Sequence, residues 1–336
     1  MRTVVLNDER KVQIVEVPTP TARDNYAVVR IMSAPMCTEY RLYHKEEKCI
    51  NLGHEAAGEV VQASPASRVK IGDRVIVMPQ YPCGECALCK SGDYIHCENT
   101  SDPLQSFGLQ YGTGTFAEYI LKPDWLLLPI PDDISYDEAS MACCGLGPAL
   151  QAVTTLGVSE GDHILVTGLG PIGLGAVICC AARGAKVIGV SRNEYRSTLA
   201  AKLGAVATID GTGPNVAQKI QQLTNNTGVD KVIECSGDQF HLHLAITSVK
   251  RKGEIAFIGE SSTFKMDLSK DLLRKGLTLY GIWHWNLNHY HLMIETIRKS
   301  RDKIQQLITH TFPLEEVEKA FQLQLTAQCG KIILKP

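Results

Sequence analysis

The chain has little excess of charge of either sign and no long uninterrupted apolar run. Its 336 residues include 34 lysines and arginines against 36 aspartates and glutamates, which gives a formal net charge of −2. That balance provides no broad basic surface, so we expect no nucleic-acid partner and no anionic-membrane partner. The longest nearly charge-free apolar stretch, residues 168–182, is too short and too rich in glycine to span a bilayer.

The first residues lack the continuous apolar segment of a secretory signal peptide, because apolar and charged residues alternate from Met1 to Arg10. We therefore expect a cytoplasmic protein. A hydrophobic content of 44% with 21% charged residues is typical of a globular protein and argues against intrinsic disorder. At roughly 150 residues per domain, the length suggests about two domains.

Twelve cysteines are many for such a chain, and four of them crowd into fifteen residues. Disulfides are typical of secreted and usually smaller chains, so metal ligation is the better interpretation. Four thiolates saturate a tetrahedral zinc ion and leave no open position, which indicates a structural zinc. Free surface thiols or two disulfides are the alternatives. The four follow the pattern C-x2-C-x2-C-x7-C: Cys83, Cys86, Cys89 and Cys97.

The hydrophobic pattern changes near residue 150. Before it, short strands broken by turn residues indicate a barrel-like or sandwich domain: Thr3–Leu6, Val12–Val17, Ala27–Met32, Gly58–Gln62 and Arg74–Met78. After it, strands alternate with helices, as in a doubly wound parallel sheet. The predicted strands there are His163–Thr167, Lys186–Ser191, Lys231–Cys235, Glu254–Ile258 and Leu277–Ile282. The predicted fold class is therefore α/β.

A glycine-rich turn follows the strand at 163–167 and opens a helix. It reads G-L-G-P-I-G and consists of Gly168, Leu169, Gly170, Pro171, Ile172 and Gly173. In that context the motif predicts a dinucleotide site, with the pyrophosphate at the helix N-terminus. A tight turn without a ligand is the alternative.

The end of the next strand bears on the choice of cofactor. A carboxylate there would bind the ribose 2′-hydroxyl of NAD, but the sequence has Ser191 and Arg192, with Arg196 close behind. A hydroxyl and a guanidinium suit a 2′-phosphate, so NADP is preferred over NAD. NAD held through Asn193 or Glu194 is the alternative.

A second group of possible metal ligands is spread along the chain. Cys37 follows an apolar strand, His54 lies in G-H-E-A-A-G-E-V, and Cys143 and Cys144 precede the glycine-rich region. Two thiolates and one imidazole would leave a zinc ion an open position for water or substrate. Spacing alone does not settle this, because the segments are far apart.

Taken together, these motifs resemble the zinc-containing medium-chain dehydrogenase/reductase family, nearly from end to end. Beyond the lobe and the glycine-rich turn, the likeness includes residues 53–60, 72–75, 114–119, 234–237 and 330–334. The resemblance implies a GroES-like catalytic domain (1–150 and 287–336, with the zinc lobe at 83–97) and a Rossmann domain at 151–286. It also implies a homodimer or homotetramer.

The resemblance further implies two zinc ions per chain, one structural and one catalytic. The catalytic ion would be bound by Cys37 and His54, with Glu55 beside it as an exchangeable or neighbouring carboxylate. The third ligand would be Cys144, with Cys143 as the alternative.

One departure from the family concerns the residues after Cys37. The family reads Cys-x-Ser/Thr-Asp/Glu, whereas this chain reads Cys37-Thr38-Glu39-Tyr40, as if one residue were missing. If the loop is shorter, Thr38 relays the alcohol proton and Glu39 orients His54. Without a gap, Glu39 falls in the hydroxyl position and Tyr40 in the acid position. The first interpretation is preferred because it restores both roles.

The expected function is reversible oxidation of an alcohol to its carbonyl, by hydride transfer to NADP or NAD. The substrate is a small molecule: a polyol, sugar alcohol, cyclitol or other secondary alcohol. Tyr43, Phe107 and residues 283–286 are candidates to line the substrate cleft, with packing or a subunit contact as the alternative for 283–286. A dinucleotide-binding protein without turnover, or a zinc-independent reductase, is the alternative function.

Overall fold

A computed structural model describes residues 1–7, 11–45, 47–261 and 263–336. Within these ranges no helix combines the length and apolar composition needed to cross a membrane. The strands are β1 (Arg2–Leu6), β2 (Val12–Glu16), β3 (Tyr26–Pro35), β4 (Ala56–Gln62), β5 (Arg74–Val77), β6 (Tyr119–Pro123), β7 (Leu127–Pro129), β8 (His163–Thr167), β9 (Lys186–Ser191), β10 (Ala205–Asp210), β11 (Val229–Glu234), β12 (Val249–Phe257), β13 (Thr278–Gly281), β14 (Ile308–Pro313) and β15 (Lys331–Lys335).

Most helices in the first half of the chain are shorter than those in the second half. They are α1 (Glu39–Lys45), α2 (Ala87–Lys90), α3 (Pro103–Phe107), α4 (Tyr136–Ser140), α5 (Gly147–Thr155), α6 (Pro171–Ala181), α7 (Glu194–Leu203), α8 (Val216–Leu223), α9 (Gln239–Ser248), α10 (Tyr290–Lys299), α11 (Arg301–Leu307) and α12 (Val317–Thr326). Single 3-10 turns and a π-helical segment, Leu268–Leu273, complete the described helical structure.

The first of two compact units is β-rich and comprises Met1–Cys144, Asn286–His291 and Ile308–Pro336. Its main sheet runs β14-β15-β3-β4-β5-β7, with β6 also paired to β3, and β1 and β2 form a hairpin. All pairs in the main sheet are antiparallel except β14 with β15. Alternating apolar residues of these strands form the core, together with Phe116 and Phe321, both fully buried.

The second unit, Gly145–Trp285 with Leu292–Leu307, is built on a parallel sheet in the order β10-β9-β8-β11-β12-β13. Strand order reverses between β8 and β11. In doubly wound sheets such a reversal is where ligands bind, beyond the carboxyl ends of the strands. Valine, leucine and isoleucine on β8, β9, β11 and β12 are buried because helices cover such sheets on both faces. The predicted doubly wound parallel sheet is confirmed.

Several elements escaped prediction. β10 lies at the edge of its sheet and reads A-V-A-T-I-D, with Val206 64% exposed, so it lacks the continuous apolar run of the buried strands. Helices α5 and α8 were not predicted either. β3 extends three residues beyond the predicted Met32, to Pro35, and these last residues are buried.

Candidate functional site

The cysteine-rich lobe gathers its four predicted thiols around one point. Neighbouring Sγ atoms lie 3.5 Å apart for Cys86 and Cys89 and for Cys97 and Cys83, and 3.9 Å apart for Cys83 and Cys89 and for Cys86 and Cys97. Zn–S bonds of about 2.3 Å place tetrahedral sulfur atoms about 3.8 Å apart, so these thiols fit a zinc ion.

Backbone N–H groups favour the thiolate form in this lobe. The N–H groups of Glu85 and Cys86 point at the Cys83 sulfur and lower its pKa to about 6. Gly84 and Gly92 have φ of +78° and +88°, backbone angles that glycine adopts without strain. The sequence therefore builds a loop that turns back on itself and directs donors at the sulfur atoms.

A second cluster comprises Cys37, His54, Glu55 and Cys144, whose ligand atoms all lie within 4.8 Å of one another. The Cys144 Sγ and His54 Nε2 atoms are 3.4 Å apart. Two ligands on a tetrahedral zinc, one sulfur and one nitrogen, lie about 3.5 Å apart, so this donor set also fits zinc. Cys37, Glu55 and Cys144 come from separate segments that the folding of the first unit brings together.

Glu39 contacts the ring nitrogen of His54 that points away from the thiols of this cluster. Its Oε1 atom lies 2.6 Å from His54 Nδ1, and its Oε2 accepts the Cys37 N–H at 2.8 Å. Burial pushes the pKa of Glu39 upward, but the charge and hydrogen bond of His54 outweigh it and leave the pKa below the usual value. Because Glu39 occupies Nδ1, the other ring nitrogen, Nε2, faces the thiols of Cys37 and Cys144. The shorter-loop interpretation, in which Glu39 orients His54, requires this contact between the carboxylate and Nδ1.

Glu55 is fully buried and forms an ion pair that the sequence did not predict. Its Oε1 lies 2.6 Å from Lys331 Nζ, and its Oε2 accepts the Cys144 N–H at 3.1 Å. Burial raises the pKa of Glu55 above its usual value, and the attraction of Lys331 opposes that rise. Lys331 also donates to the Met36 carbonyl at 2.9 Å, and Gln324 Nε2 donates to the Cys37 carbonyl at 2.7 Å.

Other candidates of this region lie outside the cluster. The Cys143 sulfur is buried and points at the Val77 carbonyl, 3.5 Å away, so Cys144 and not its neighbour joins the cluster. Thr38 is half-buried between Cys37 and the start of α1. Tyr43 stacks on the Phe321 ring at 5.0 Å.

The aromatic candidates further along the chain have packing partners. Phe107 makes an edge contact with Tyr26, with ring centres 4.8 Å apart. Trp285 is buried, whereas Trp283 is half exposed. The Asn286 amide donates to Ser91 O and Asp93 Oδ1 in the cysteine-rich lobe, at 3.0 and 2.8 Å. These contacts favour packing as the role of Trp285 and Asn286.

The glycine-rich turn has the geometry that its three glycines predict. Gly168 has φ of +79°, and a Cβ there would lie 2.5 Å from Ser236 Cβ. A Cβ on Gly173 would lie 2.0 Å from the Gly168 carbonyl, so helix and turn pack at backbone contact. A Cβ on Gly170 would meet nothing within 4 Å, and no side chain caps α6, which starts with Pro171 and Ile172. The turn thus presents open backbone at a helix N-terminus, which suits a pyrophosphate.

The residues expected at the adenosine end lie just after β9. Ser191 is buried, and its hydroxyl accepts the Asn193 N–H at 3.1 Å. The Arg192 side chain is 59% exposed, with Nη2 3.6 Å from Asp238 Oδ2. Arg196 lies in the first turn of α7, where its N–H donates to Asn193 Oδ1.

Four residues near these sites were missed by sequence reasoning: Gln324, Lys331, Asp238 and His241. Lys331 lies in the segment 330–334 that carries part of the family resemblance, and a lysine within the apolar run K-I-I-L is unusual, but neither signal points to its partner. Its partner lies 276 residues away, and no spacing rule links the two.

Comparison with known proteins supports the same picture. The alcohol dehydrogenase GroES-like domain family matches residues 23–132, and the zinc-binding dehydrogenase family matches residues 171–299. Sorbitol dehydrogenase of Bacillus subtilis is 30% identical, covering 100% of this chain and 97% of that protein. L-threonine 3-dehydrogenase of Shewanella baltica is 32% identical, covering 98% and 97%.

Among solved structures, the alcohol dehydrogenase TADH from Thermus sp. ATN1 superposes with a TM-score of 0.91 at 26% identity, covering 100% of both chains. The predicted combination of a GroES-like domain with a Rossmann sheet is confirmed by these matches. The chain belongs to the zinc-containing medium-chain dehydrogenase/reductase family.

Proposed function

We propose that the protein is a zinc-dependent dehydrogenase that interconverts an alcohol and its carbonyl compound, with NADP(H) preferred over NAD(H). The observation that carries the proposal is the convergence of Cys37, His54, Glu55 and Cys144 within 4.8 Å. Two thiols and an imidazole leave a tetrahedral ion one open position, whereas the four-thiol lobe leaves none. We therefore propose one catalytic zinc ion at the cluster of Cys37, His54 and Cys144, and one structural zinc ion at the four-thiol lobe.

The class of substrate is inferred from the relatives. The names of the two curated relatives given above refer to a polyol and to a hydroxy amino acid, both of which carry a CH–OH group. We extend that chemistry to this chain as a polyol, sugar alcohol, cyclitol or other secondary alcohol. The matches cover nearly the whole chain, so the extension concerns both units.

Each residue of the cluster has a role in this reaction. Cys37, His54 and Cys144 would hold a zinc ion, which would supply Lewis acidity toward an alcohol hydroxyl. Glu39 holds the His54 ring with Nε2 toward the thiols. Thr38, next to Cys37 in the chain, offers the hydroxyl that passes the alcohol proton onward.

Glu55 and Lys331 keep the backbone of the cluster in place. The carboxylate receives the Cys144 N–H, and the ammonium holds the carbonyl that precedes Cys37. Both side chains are fully buried, so water does not compete for these bonds. We assign them to positioning of the ligand residues.

The second unit would bind the dinucleotide at the carboxyl edge of its sheet. A nicotinamide dinucleotide supplies the hydride acceptor. The open backbone at Gly170 and the N-terminus of α6 would receive its pyrophosphate, and Ser191, Arg192 and Arg196 would bind at the ribose 2′ position. We accordingly propose residues 1–150 with 287–336 as the catalytic domain and 151–286 as the dinucleotide-binding domain. The compact units differ from these bounds in that the second unit begins at Gly145 and includes Leu292–Leu307.

Elemental analysis of zinc per chain tests the metal-dependent part directly. The parent and three variants, Cys144→Ser, Cys86→Ser and Cys143→Ser, are purified without chelators. We expect two zinc ions in the parent and in Cys143→Ser, the matched control for a neighbouring thiol. Cys144→Ser should retain one zinc and its circular dichroism spectrum, and lose turnover of polyols with NADP.

One zinc in the parent, unchanged in Cys144→Ser and not increased by added zinc, would overturn the proposed mechanism. The remaining function would then be dinucleotide binding without turnover, or reduction that needs no metal. Cys86→Ser identifies which ion belongs to the lobe. Removal of the Cys86 thiol should release the zinc ion of the lobe and leave the site at Cys37, His54 and Cys144 occupied in any protein that remains folded.

A further inference from the structure

His241 is a buried histidine whose ring nitrogens have no hydrogen-bond partner among the described residues. It lies in the first turn of α9 and is 3% exposed. The nearest charged group is Asp238, with Oδ1 3.7 Å from His241 Nδ1, too far for a hydrogen bond. Buried polar groups in folded proteins are nearly always paired, so two unpaired ring nitrogens indicate a missing partner.

The ring lies where the adenosine end of the dinucleotide is expected. A Cβ built on Gly211, which follows β10, would lie 3.6 Å from His241 Nε2 and 3.5 Å from Arg192 Cγ. The Arg192 guanidinium in turn approaches Asp238, which caps α9 by accepting the Phe240 N–H at 3.0 Å. The residues that follow three strands of the sheet therefore meet at this point.

We propose that His241 is a second determinant of cofactor choice, donating a hydrogen bond from Nε2 to the 2′-phosphate of NADP(H) beside Arg192. This inference rests on the proposed function, because it concerns the same dinucleotide site. The proposal adds a residue of helix α9, which follows β11, to the cofactor-binding residues already proposed after β9.

The charges around the ring determine what binding does to its proton. Burial lowers the pKa of His241, Asp238 raises it and Arg192 lowers it, and the net effect is a pKa below the usual value. Asp238 from its own helix cap and Arg192 from the loop after β9 are the charged groups, among the described residues, that act on the ring.

The neutral ring of the free protein therefore gains a proton when a phosphate dianion arrives. Nε2–H then faces the phosphate and Nδ1–H faces the Asp238 carboxylate, which turns an unpaired ring into a doubly paired cation. A ribose 2′-hydroxyl carries no charge, so NAD(H) binding involves no such proton uptake at this residue.

Isothermal titration of the zinc-loaded chain with NADPH and NADH, in two buffers of different ionisation enthalpy, measures affinity and proton uptake together. His241→Gln removes the titrating ring, and His243→Gln, an exposed position two residues along the same helix, is the control. We expect His241→Gln to weaken NADPH about tenfold, the scale of one charge-assisted hydrogen bond, with NADH unchanged. Proton uptake on NADPH binding should fall in His241→Gln and persist in His243→Gln.

Each of the other possible outcomes overturns a defined part of the proposal. If NADPH affinity and proton uptake are unchanged in His241→Gln, the role of His241 is wrong while the preference for NADP stands. If the variant keeps its circular dichroism spectrum but loses NADPH and NADH equally, the residue is merely structural. If the parent binds NADH as tightly as NADPH, the preference for NADP is wrong and the role of His241 falls with it.

Discussion

Lys122 is a buried lysine in β6, and it makes the stability of the first unit depend on pH. Its side chain is 2% exposed, and its ammonium donates to the Gln80 carbonyl at 2.6 Å and lies 3.8 Å from the centre of the Tyr81 ring. No carboxylate among the described residues pairs with it. Burial lowers the pKa of Lys122 from 10.5 to about 7, with a smaller opposing effect of Cys143.

The sign and size of the effect follow from linkage. Between pH 7 and 10.5 the unfolded chain binds more protons at this residue than the folded chain, so folding becomes more favourable as pH rises. Below pH 7 the full cost of burying the charge remains, about 5 kcal/mol for this shift in pKa. Between pH 6.5 and 9.5 the folded state should gain about 3 kcal/mol from Lys122 alone.

Lys122→Met removes the titrating group and keeps the apolar stem. Urea unfolding of parent and variant with zinc in excess, at several pH values from 6.5 to 9.5, gives the difference in the free energy of unfolding at each pH. That difference should move in favour of the parent by about 3 kcal/mol across the range. Lys90→Met, which removes an exposed lysine of the cysteine-rich lobe, should show no comparable trend. A difference between parent and Lys122→Met that stays constant with pH would refute the reasoning.

Three further predictions concern the two candidate sites. Glu39→Gln should weaken zinc at the cluster about 10- to 100-fold, measured by competition with a chelator, and leave the four-cysteine site unchanged. Lys331→Met should lower the free energy of unfolding in urea by about 3–5 kcal/mol, because it leaves the buried Glu55 carboxylate unpaired. The double variant, Lys331→Met with Glu55→Gln, should recover much of that loss. An equal loss in the single and the double variant would contradict the pairing of Lys331 with Glu55. Gly173→Ala should disrupt the turn and reduce thermal stability, whereas Gly170→Ala should keep the fold and weaken only dinucleotide binding, as titration with NADPH would show.

Buried local patterns were predictable from the residues themselves, whereas contacts between distant side chains were predicted only where the family resemblance implied them. β8 and β9 have the predicted bounds, because each is a continuous, mostly buried segment between turn residues. The edge strand β10 has no such run. The ion pair of Glu55 with Lys331 joins two segments whose local sequences carry no sign of each other, so only the folded chain brings them together.

The residues after Cys37 depart from the family pattern, but the local structure still gives His54 a carboxylate partner. Helix α1 begins at Glu39, only two residues after Cys37, so the first carboxylate of the helix turns back toward the loop. There it accepts the Cys37 N–H and reaches His54 Nδ1. A negative side chain is favoured in the first turn of a helix, so the helix start itself stabilises the carboxylate. A loop one residue shorter therefore still places an acid on the histidine, and Thr38, between the two, becomes the residue to test for the proton relay.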